Sequence, residues 1–125
     1  MDERRIAQIS DDATSGRITF NEALRLLREQ GVQGYRVDVN THSKIFFDAK
    51  NTFLKKEEAD TALSPAFDWN RVNDALRQMR EGSLTFDEFL ARLGAAGVCE
   101  LLVDIIGRRV FYLGLYENYV EPIPA

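Results

Sequence analysis

The segment GSLTFDEF at residues 82–89 resembles part of a metal-binding motif. A calcium loop of the EF-hand type needs oxygen ligands at its first, third and fifth positions, glycine at the sixth and glutamate at the twelfth. Setting Gly82 sixth and Glu88 twelfth places Arg77, Met79 and Glu81 at the early positions. Arginine and methionine supply no oxygen ligand. We therefore expect no metal site here and no cofactor.

The same residues fit the start of a helix. Thr85 and Glu88, like Thr19 and Glu22, have the T-x-x-E spacing of a capping box, in which both side chains bond to free backbone N–H groups. Gly31 and Gly97 stand where the same helices should end and can adopt positive φ. The spacing therefore predicts two capped helices, in which the glutamates do not bind an ion.

One histidine and one cysteine limit the nucleophilic chemistry of the chain. Any Ser-His-Asp or Cys-His arrangement must include His42, the only histidine. His42 lies in NTHSK, whose composition predicts a hairpin turn, and we expect a solvated loop residue. Cys99 is the only cysteine, which fits a reducing compartment without disulfides. We identify no catalytic residue, and this favours a non-enzymatic role.

The chain contains an internal duplication. Residues 16–38 align with residues 82–104 at an offset of 66 without a gap, and ten of the 23 positions are identical. The similarity continues more loosely from KIFFDA to RVFYLG, with a shift of one residue. We therefore expect two copies of one structural unit.

Each copy predicts two helices followed by two strands. Amphipathic patterns predict first helices over residues 3–13 and 67–79, and the capped second helices follow. The runs YRVDV, KIFFDA, ELLVDII and RRVFYLG predict hairpins, and NYVEP a last short strand. One domain spans residues 1–125, with repeat 1 over residues 1–50, a connection over 51–66 and repeat 2 over 67–121. The predicted fold is α+β: a tandem duplication of an α-α-β-β unit, with a mainly antiparallel sheet, helices on one face and pseudo-twofold symmetry.

Two aspartates recur in both copies without a packing role. Asp38 and Asp104 point away from the apolar side of their strands. Two carboxylates from related halves share a proton in aspartic proteases. Those enzymes present the aspartate in a D-T-G turn, whereas VDV and VDI here are strand-like. We therefore expect hydrogen bonds at a strand end or hairpin, with catalysis by the pair as the alternative.

The outward faces of the two first strands differ. The outward residues are Gly34, Arg36, Asp38 and Asn40 in one and Glu100, Leu102, Asp104 and Ile106 in the other. Because the second set is half apolar, either the terminal YENYVEPIP segment or another subunit should cover it. We expect a homodimer contact that includes Leu102, Ile106 and Tyr119.

Charge and hydropathy narrow the range of partners. The chain has 16 Lys and Arg, 20 Asp and Glu and a net charge of −4, and basic pairs such as Lys55-Lys56 are predicted to be solvated. No positive field is available for nucleic acid. No apolar run is long enough to cross a bilayer, and MDERRIAQIS lacks the apolar centre of a signal peptide. We expect a cytoplasmic protein without membrane or nucleic-acid partners.

The sequence also resembles a known family. The segments GVQGYRVDV, KIFF and TFDEFLARLGAAGVCELLVDIIGRRVFYLGLYENYVEPIP are similar to domain-of-unknown-function family 1398 of bacteria and prophages. The combination of AGV-x4-VD with YVE-x-IP carries this resemblance. Some family members are labelled "phage envelope protein", which implies a phage- or prophage-derived protein. The resemblance implies no activity, cofactor or catalytic residue.

Two functional hypotheses follow. We favour a non-enzymatic protein-binding or assembly protein with an unknown protein partner. The alternative is a small-ligand-binding protein or enzyme with a pocket between the repeats. Its candidate lining residues are Asp38, Asp104, Phe46, Phe47, Phe111, Tyr112 and Tyr116. Core packing is the other interpretation of these aromatic side chains.

Overall fold

The computed structural model describes residues 1–124, which form two copies of one series of helices and strands. The first copy contains α1 (Glu3–Thr14), α2 (Phe20–Glu29), β1 (Gly34–Asp38), β2 (Lys44–Phe47) and β3 (Thr52–Lys55). The second contains α3 (Trp69–Arg80), α4 (Phe86–Ala95), β4 (Glu100–Asp104), β5 (Arg109–Leu113) and β6 (Asn118–Pro122). All equivalent helices begin and end at positions that differ by 66. The predicted duplication is confirmed, and each unit has a third strand, which was predicted as NYVEP in the second copy and not predicted in the first.

The six strands form one antiparallel sheet in the order β3-β2-β1-β4-β5-β6. The first strand of each copy lies at the centre, where β1 pairs with β4 and Arg36 lies opposite Leu102. These two residues are equivalent positions in the two copies, so a pseudo-twofold axis passes between them, perpendicular to the sheet. The predicted α+β class and its symmetry are therefore confirmed.

Two details of the strands differ from the prediction. Strand β3 lies within residues 51–66, which the sequence assigns to the connection. It is a four-residue edge strand beside a charged run, so its sequence pattern is weak. In addition, β2 corresponds to β5 at the same offset of 66, without the predicted shift: Phe46 pairs with Phe53 as Tyr112 pairs with Tyr119. The true register aligns Lys44 with Val110, and this mismatch in polarity obscures it.

The helices pack on one face of the sheet and enclose the core. Inward residues of the strands, such as Val37 and Val103, meet Ile6, Leu24 and Leu90 from the helices, all at most 3% exposed. Each such aliphatic side chain contributes about 1.5–3 kcal/mol by leaving water. No helix in residues 1–124 is long and apolar enough to cross a bilayer.

The predicted capping box is complete at the start of α4, whereas at α2 only the Thr19 side chain accepts its bond, from the N–H of Glu22. The side-chain oxygen of Thr85 accepts a hydrogen bond from the backbone N–H of Glu88 at 3.1 Å, and the Glu88 carboxylate accepts one from the N–H of Thr85 at 2.9 Å. Gly31 and Gly97 follow α2 and α4 with φ of 85° and 88°. The predicted second helices and their boundaries are thus confirmed.

Candidate functional site

The face of the sheet opposite the helices is open. The middle of each strand contributes one side chain to this face, and the register joins these side chains into a row across the sheet. This outer row consists of Leu54, Ile45, Arg36, Leu102, Phe111 and Val120. Leu54, Ile45 and Val120 are 56%, 40% and 39% exposed, so residues 1–124 leave the apolar row in contact with water.

Most charges beside the outer row are paired within the chain. Arg36 donates to the Glu100 carboxylate at 2.5 Å, and the Arg109 Nε donates to Asp104 at 3.1 Å. The Arg109 guanidinium also lies 5.0 Å from the centroid of the Phe111 ring. The open face therefore presents apolar side chains between ion pairs that are already formed.

The three predicted interface residues lie in different places. Leu102 is at the centre of the outer row, and Ile106 is 54% exposed in the β4–β5 turn. Tyr119 lies on the helix side, where its ring is 4.2 Å from Trp69 and 6.0 Å from Tyr112 between centroids. A partner on the open face would therefore contact Leu102 and would not reach Tyr119.

The terminal segment does not cover the open face. Strand β6 pairs with β5 and extends the sheet sideways, with Val120 opposite Phe111. Its outward side chains therefore add to the apolar face. The prediction that this segment covers the second outward face is therefore wrong.

The aromatic residues proposed for a ligand pocket occupy three separate places. Phe46 and Tyr112 are buried beneath the helices. Phe47 and Phe111 are on the open face of the sheet. Tyr116 is 96% exposed in the β5–β6 turn. These five side chains do not line one pocket.

Asp38 and Asp104 are also far apart. Asp38 lies opposite Glu100, whereas Asp104 lies opposite Gly34 at the other end of the β1–β4 pair. Four residues of extended strand separate these ends, which is roughly 13 Å. The two carboxyl groups therefore cannot share a proton.

Each of these aspartates instead bonds to the turn that follows its strand. The Asp38 carboxylate accepts the backbone N–H groups of Asn40 at 2.8 Å and Thr41 at 3.0 Å. The Asp104 carboxylate accepts the N–H of Gly107 at 2.8 Å. Short-range bonds of this kind fix the geometry of a hairpin turn.

A cleft of about 180 Å³ lies on the helix side of the sheet, between the two repeats. Its walls come from the end of α1, the start of β2, the segment after β3 and the start of α4. The lining residues are Asp11, Thr14, His42, Lys44, Lys55, Glu57, Glu58, Ala59, Phe86 and Asp87. The cleft thus lies where the ligand-binding hypothesis places a pocket, but it is lined by other residues.

Lys44 is the buried amine of this cleft. Only 9% of the residue is exposed, and its Nζ donates to the hydroxyls of Ser10 at 2.8 Å and Thr14 at 3.2 Å. The same nitrogen lies 4.7 Å from the centroid of the Phe86 ring. Within residues 1–124 it forms no salt bridge. Burial, together with the nearby Lys55 ammonium, lowers the pKa of Lys44 to about 8.

Lys55 is the second amine of the cleft and is held differently. Its Nζ lies 2.8 Å from the Asp11 carboxylate and 2.6 Å from that of Glu57. Desolvation lowers the pKa of Lys55, but the hydrogen bonds and the negative charges of Asp11 and Glu57 together raise it above its ordinary value. The prediction that Lys55 is a solvated charge is wrong, because its side chain is only 17% exposed between two carboxylates.

His42 closes the side of the cleft. It is 8% exposed with φ of 68°; its Nδ1 lies 3.0 Å from the Asp87 carboxylate and its Nε2 2.7 Å from the Thr61 hydroxyl. The prediction of a solvated loop residue is therefore wrong. The connection between the copies crosses this turn and covers the imidazole. The backbone N–H groups of Ala59 and Thr61, in the connection, donate to backbone carbonyls of the turn.

The second copy fills the place of the Lys44 amine with apolar side chains. The offset of 66 aligns Lys44 with Val110 and Ser10 with Leu76. Val110 is 6% exposed, Ser10 3% and Leu76 4%. One copy therefore has a buried lysine and serine where the other has valine and leucine. The sequence contains this signal, but it becomes visible only when the strands are aligned without the predicted shift.

The fold and these sites define a duplicated α+β domain with an open sheet face and a polar cleft beside Lys44. No family model matches the chain, and its resemblance to family 1398 stays a prediction. The curated relatives include "Uncharacterized protein Mb2035" of Mycobacterium bovis and "Uncharacterized protein Rv2012" of Mycobacterium tuberculosis. Each is 39% identical over 62 residues, which cover 49% of this chain and 38% of the relative. The chain thus spans well under half the length of these relatives.

Proposed function

We propose that this protein is an assembly module that forms a homodimer through the open face of its sheet. The proposal rests on the outer row. Five of its six side chains are apolar, and the row crosses all six strands without being covered by another element of the chain. Burying apolar surface of this kind contributes about 25 cal/mol per Å². The resemblance to family 1398 supports an assembly role of prophage origin.

The internal symmetry of the outer row supports a second copy as the partner. Its positions are equivalent in pairs, Leu54 with Val120, Ile45 with Phe111 and Arg36 with Leu102. A dimer axis parallel to the sheet, combined with the internal axis perpendicular to it, gives four units with D₂ pseudo-symmetry. Both apolar ends of the row then meet apolar ends of the partner.

The size of the face is sufficient for a small dimer interface. Six strands spaced about 4.8 Å apart, over about five residues of about 3.3 Å each, give roughly 450 Å² of flat area. Side chains make the accessible area larger, so two faces bury about 1,000 Å² or more, the lower end for specific interfaces.

The paired charges lower the penalty for burying this face. Arg36 and Arg109 already bond to Glu100 and Asp104 within one chain, so neither needs a carboxylate from a second copy. Burying a paired charge costs less than burying an unpaired one. Packing of two such sheets at about −30° is a common arrangement of β-sandwiches.

Substitution of the two ends of the outer row tests the dimer. Leu54→Asp and Val120→Asp each place an unpaired carboxylate on the face, and by the symmetry of the row the two should weaken association equally. We expect the dimer dissociation constant to rise about tenfold or more in each case. Sedimentation equilibrium from low micromolar to about 100 µM measures it.

Leu115→Asp is the matched control. Leu115 is 67% exposed in the β5–β6 turn, outside the outer row, and undergoes the same chemical change. It should leave the dissociation constant unchanged, and circular dichroism should show all three variants folded. A wild-type protein that is monomeric throughout this range, or an equal effect of Leu115→Asp, would exclude the proposed dimer.

A further inference from the structure

We propose that Lys44 is a nucleophilic amine that forms an imine with a small neutral aldehyde or ketone in the cleft. The carbonyl site would be separate from the open face, and it does not depend on the proposed dimer.

Within residues 1–124 no carboxylate forms a salt bridge with the Lys44 amine. A buried ammonium normally has a carboxylate partner, but the nearest acceptors here are the uncharged hydroxyls of Ser10 and Thr14. Lys55, in the same cleft, has two carboxylate partners and is held as an ammonium. A lysine that is desolvated beside another cation is a known way to obtain a nucleophilic amine.

The charged groups around Lys44 act in opposite directions. Lys55 on β3 favours the neutral amine, whereas Asp11 on α1, Glu57 after β3 and Asp87 at the start of α4 favour the ammonium. Burial and Lys55 prevail, and the pKa falls to about 8. At pH 7 about a tenth of Lys44 is then neutral, against about one part in 2,500 for an ordinary lysine.

The lining of the cleft selects the class of carbonyl compound. Four carboxylates line it, from Asp11, Glu57, Glu58 and Asp87, and only Lys55 opposes them once Lys44 is neutral. This surplus of negative charge repels keto acids and admits uncharged carbonyl compounds. A volume of about 180 Å³ accommodates a molecule of a few carbon atoms.

The reaction needs no oxidant or reductant. The lone pair of the Lys44 Nζ attacks the carbonyl carbon, and the C=O electron pair moves to oxygen, which takes a proton. The nitrogen loses a proton. The hydroxyl oxygens of Ser10 and Thr14 lie within hydrogen-bond distance of the Nζ and are the nearest acceptors for this proton. The carbinolamine then loses its hydroxyl group and the second amine proton as water, and a C=N bond remains.

The second copy shows that the fold does not require this lysine. Val110 and Leu76 occupy the positions equivalent to Lys44 and Ser10 and are buried in the same setting. The variant Lys44→Val/Ser10→Leu therefore copies a pair of residues that the fold already accommodates, and it provides a folded protein without the amine.

Reductive trapping tests the proposal. The full chain is incubated with propanal and cyanoborohydride, which reduces an imine to a stable secondary amine, and peptide mass spectrometry follows each lysine. At pH 7 we expect Lys44 to be modified at least about tenfold faster than the exposed Lys50 and Lys56. Its rate should level off above about pH 8, while the rates at the other two continue to rise.

Two comparisons make the test decisive. The Lys44→Val/Ser10→Leu variant should lose the fast phase of modification and retain the slow one. Glyoxylate, which is anionic, should modify Lys44 more slowly than propanal does. Modification of Lys44 at or below the rate of Lys50 would overturn the nucleophile, and a preference for glyoxylate would overturn the class of ligand.

Discussion

The buried Lys44 amine makes the stability of this protein depend on pH. The pKa of Lys44 is about 8 in the folded protein and 10.5 for an ordinary lysine, so between these values the unfolded chain binds more protons. The free energy of unfolding contributed by this group therefore rises with pH from about 8 to 10.5 and is lowest below pH 8. At neutral pH the lysine destabilises the fold by about 3 kcal/mol.

Comparison with the Lys44→Val/Ser10→Leu variant isolates this effect. We expect the variant to be more stable than the wild type at pH 7, and the difference to shrink by about 2 kcal/mol by pH 9.5. The stability of the variant must be subtracted from that of the wild type at each pH, because other groups also titrate. The pKa values of Lys55, Tyr35 and Tyr112 are raised in the folded protein, so these groups lower the stability of both proteins as pH rises. Urea unfolding at each pH measures the difference, and a constant difference would contradict the assignment to Lys44.

Residues with local roles were predictable from the sequence, and residues with distant partners were not. Thr85 and Gly97 act within one turn of their helix, so spacing alone identified them. The surroundings of His42 depend on Thr61 and Asp87, which are distant in the chain. Neither burial nor these partners follow from the turn composition of NTHSK.

At the scale of elements, the two second helices differ in one capping bond. Glu88 accepts the backbone N–H of Thr85, whereas Glu22 lies 3.3 Å from the Thr19 hydroxyl. Removing either threonine side chain, in Thr19→Ala or Thr85→Ala, should cost about 1 kcal/mol. Because only Glu88 completes the capping box, Glu88→Ala should lower the melting temperature more than Glu22→Ala does.

Acid should abolish the difference between the two glutamate variants. The N–H of Thr85 lowers the pKa of Glu88, so this stabilising contribution is present above the unfolded pKa of the carboxyl group and is lost as pH falls through the folded pKa. Thermal unfolding at pH 7 and at about pH 3 provides the comparison. Equal melting temperatures for the two variants at pH 7 would show that the reciprocal bond contributes nothing.

The elements themselves were largely predictable, because helices and hairpins carry repeated apolar patterns. Strand β3 was not, since Phe53 and Lys55 are its only half-buried residues and a charged run follows it. Strand β6 also has only two half-buried residues, but it was recognisable because Pro122 marks its end. Edge strands bury little on either face, so their sequences are weakly constrained.

At the scale of the whole molecule, symmetric and asymmetric features serve different purposes. The helices, the strand registers and the outer row are common to both copies, and they support the fold and the proposed dimer. The buried polar pair is not common to both copies, because Lys44 and Ser10 in one copy correspond to Val110 and Leu76 in the other. The sequence revealed the duplication, but only the pairing of β1 with β4 reveals the outer row.

The central pair, Arg36 opposite Leu102, permits a test of how the two copies join. Leu102→Arg places two guanidinium groups on directly opposite strands, whereas Leu102→Glu offers Arg36 a second carboxylate. Cross-strand charge pairs change stability by up to about 1 kcal/mol, so the arginine variant should be less stable than the glutamate variant by about that amount. Urea unfolding measures the stability of both variants, and the additional substitution Leu54→Asp keeps a dimer from contributing to it. Salt should narrow the difference in stability between the arginine and glutamate variants. Equal stabilities at low salt would mean that these two side chains are not neighbours and that the copies join in another register.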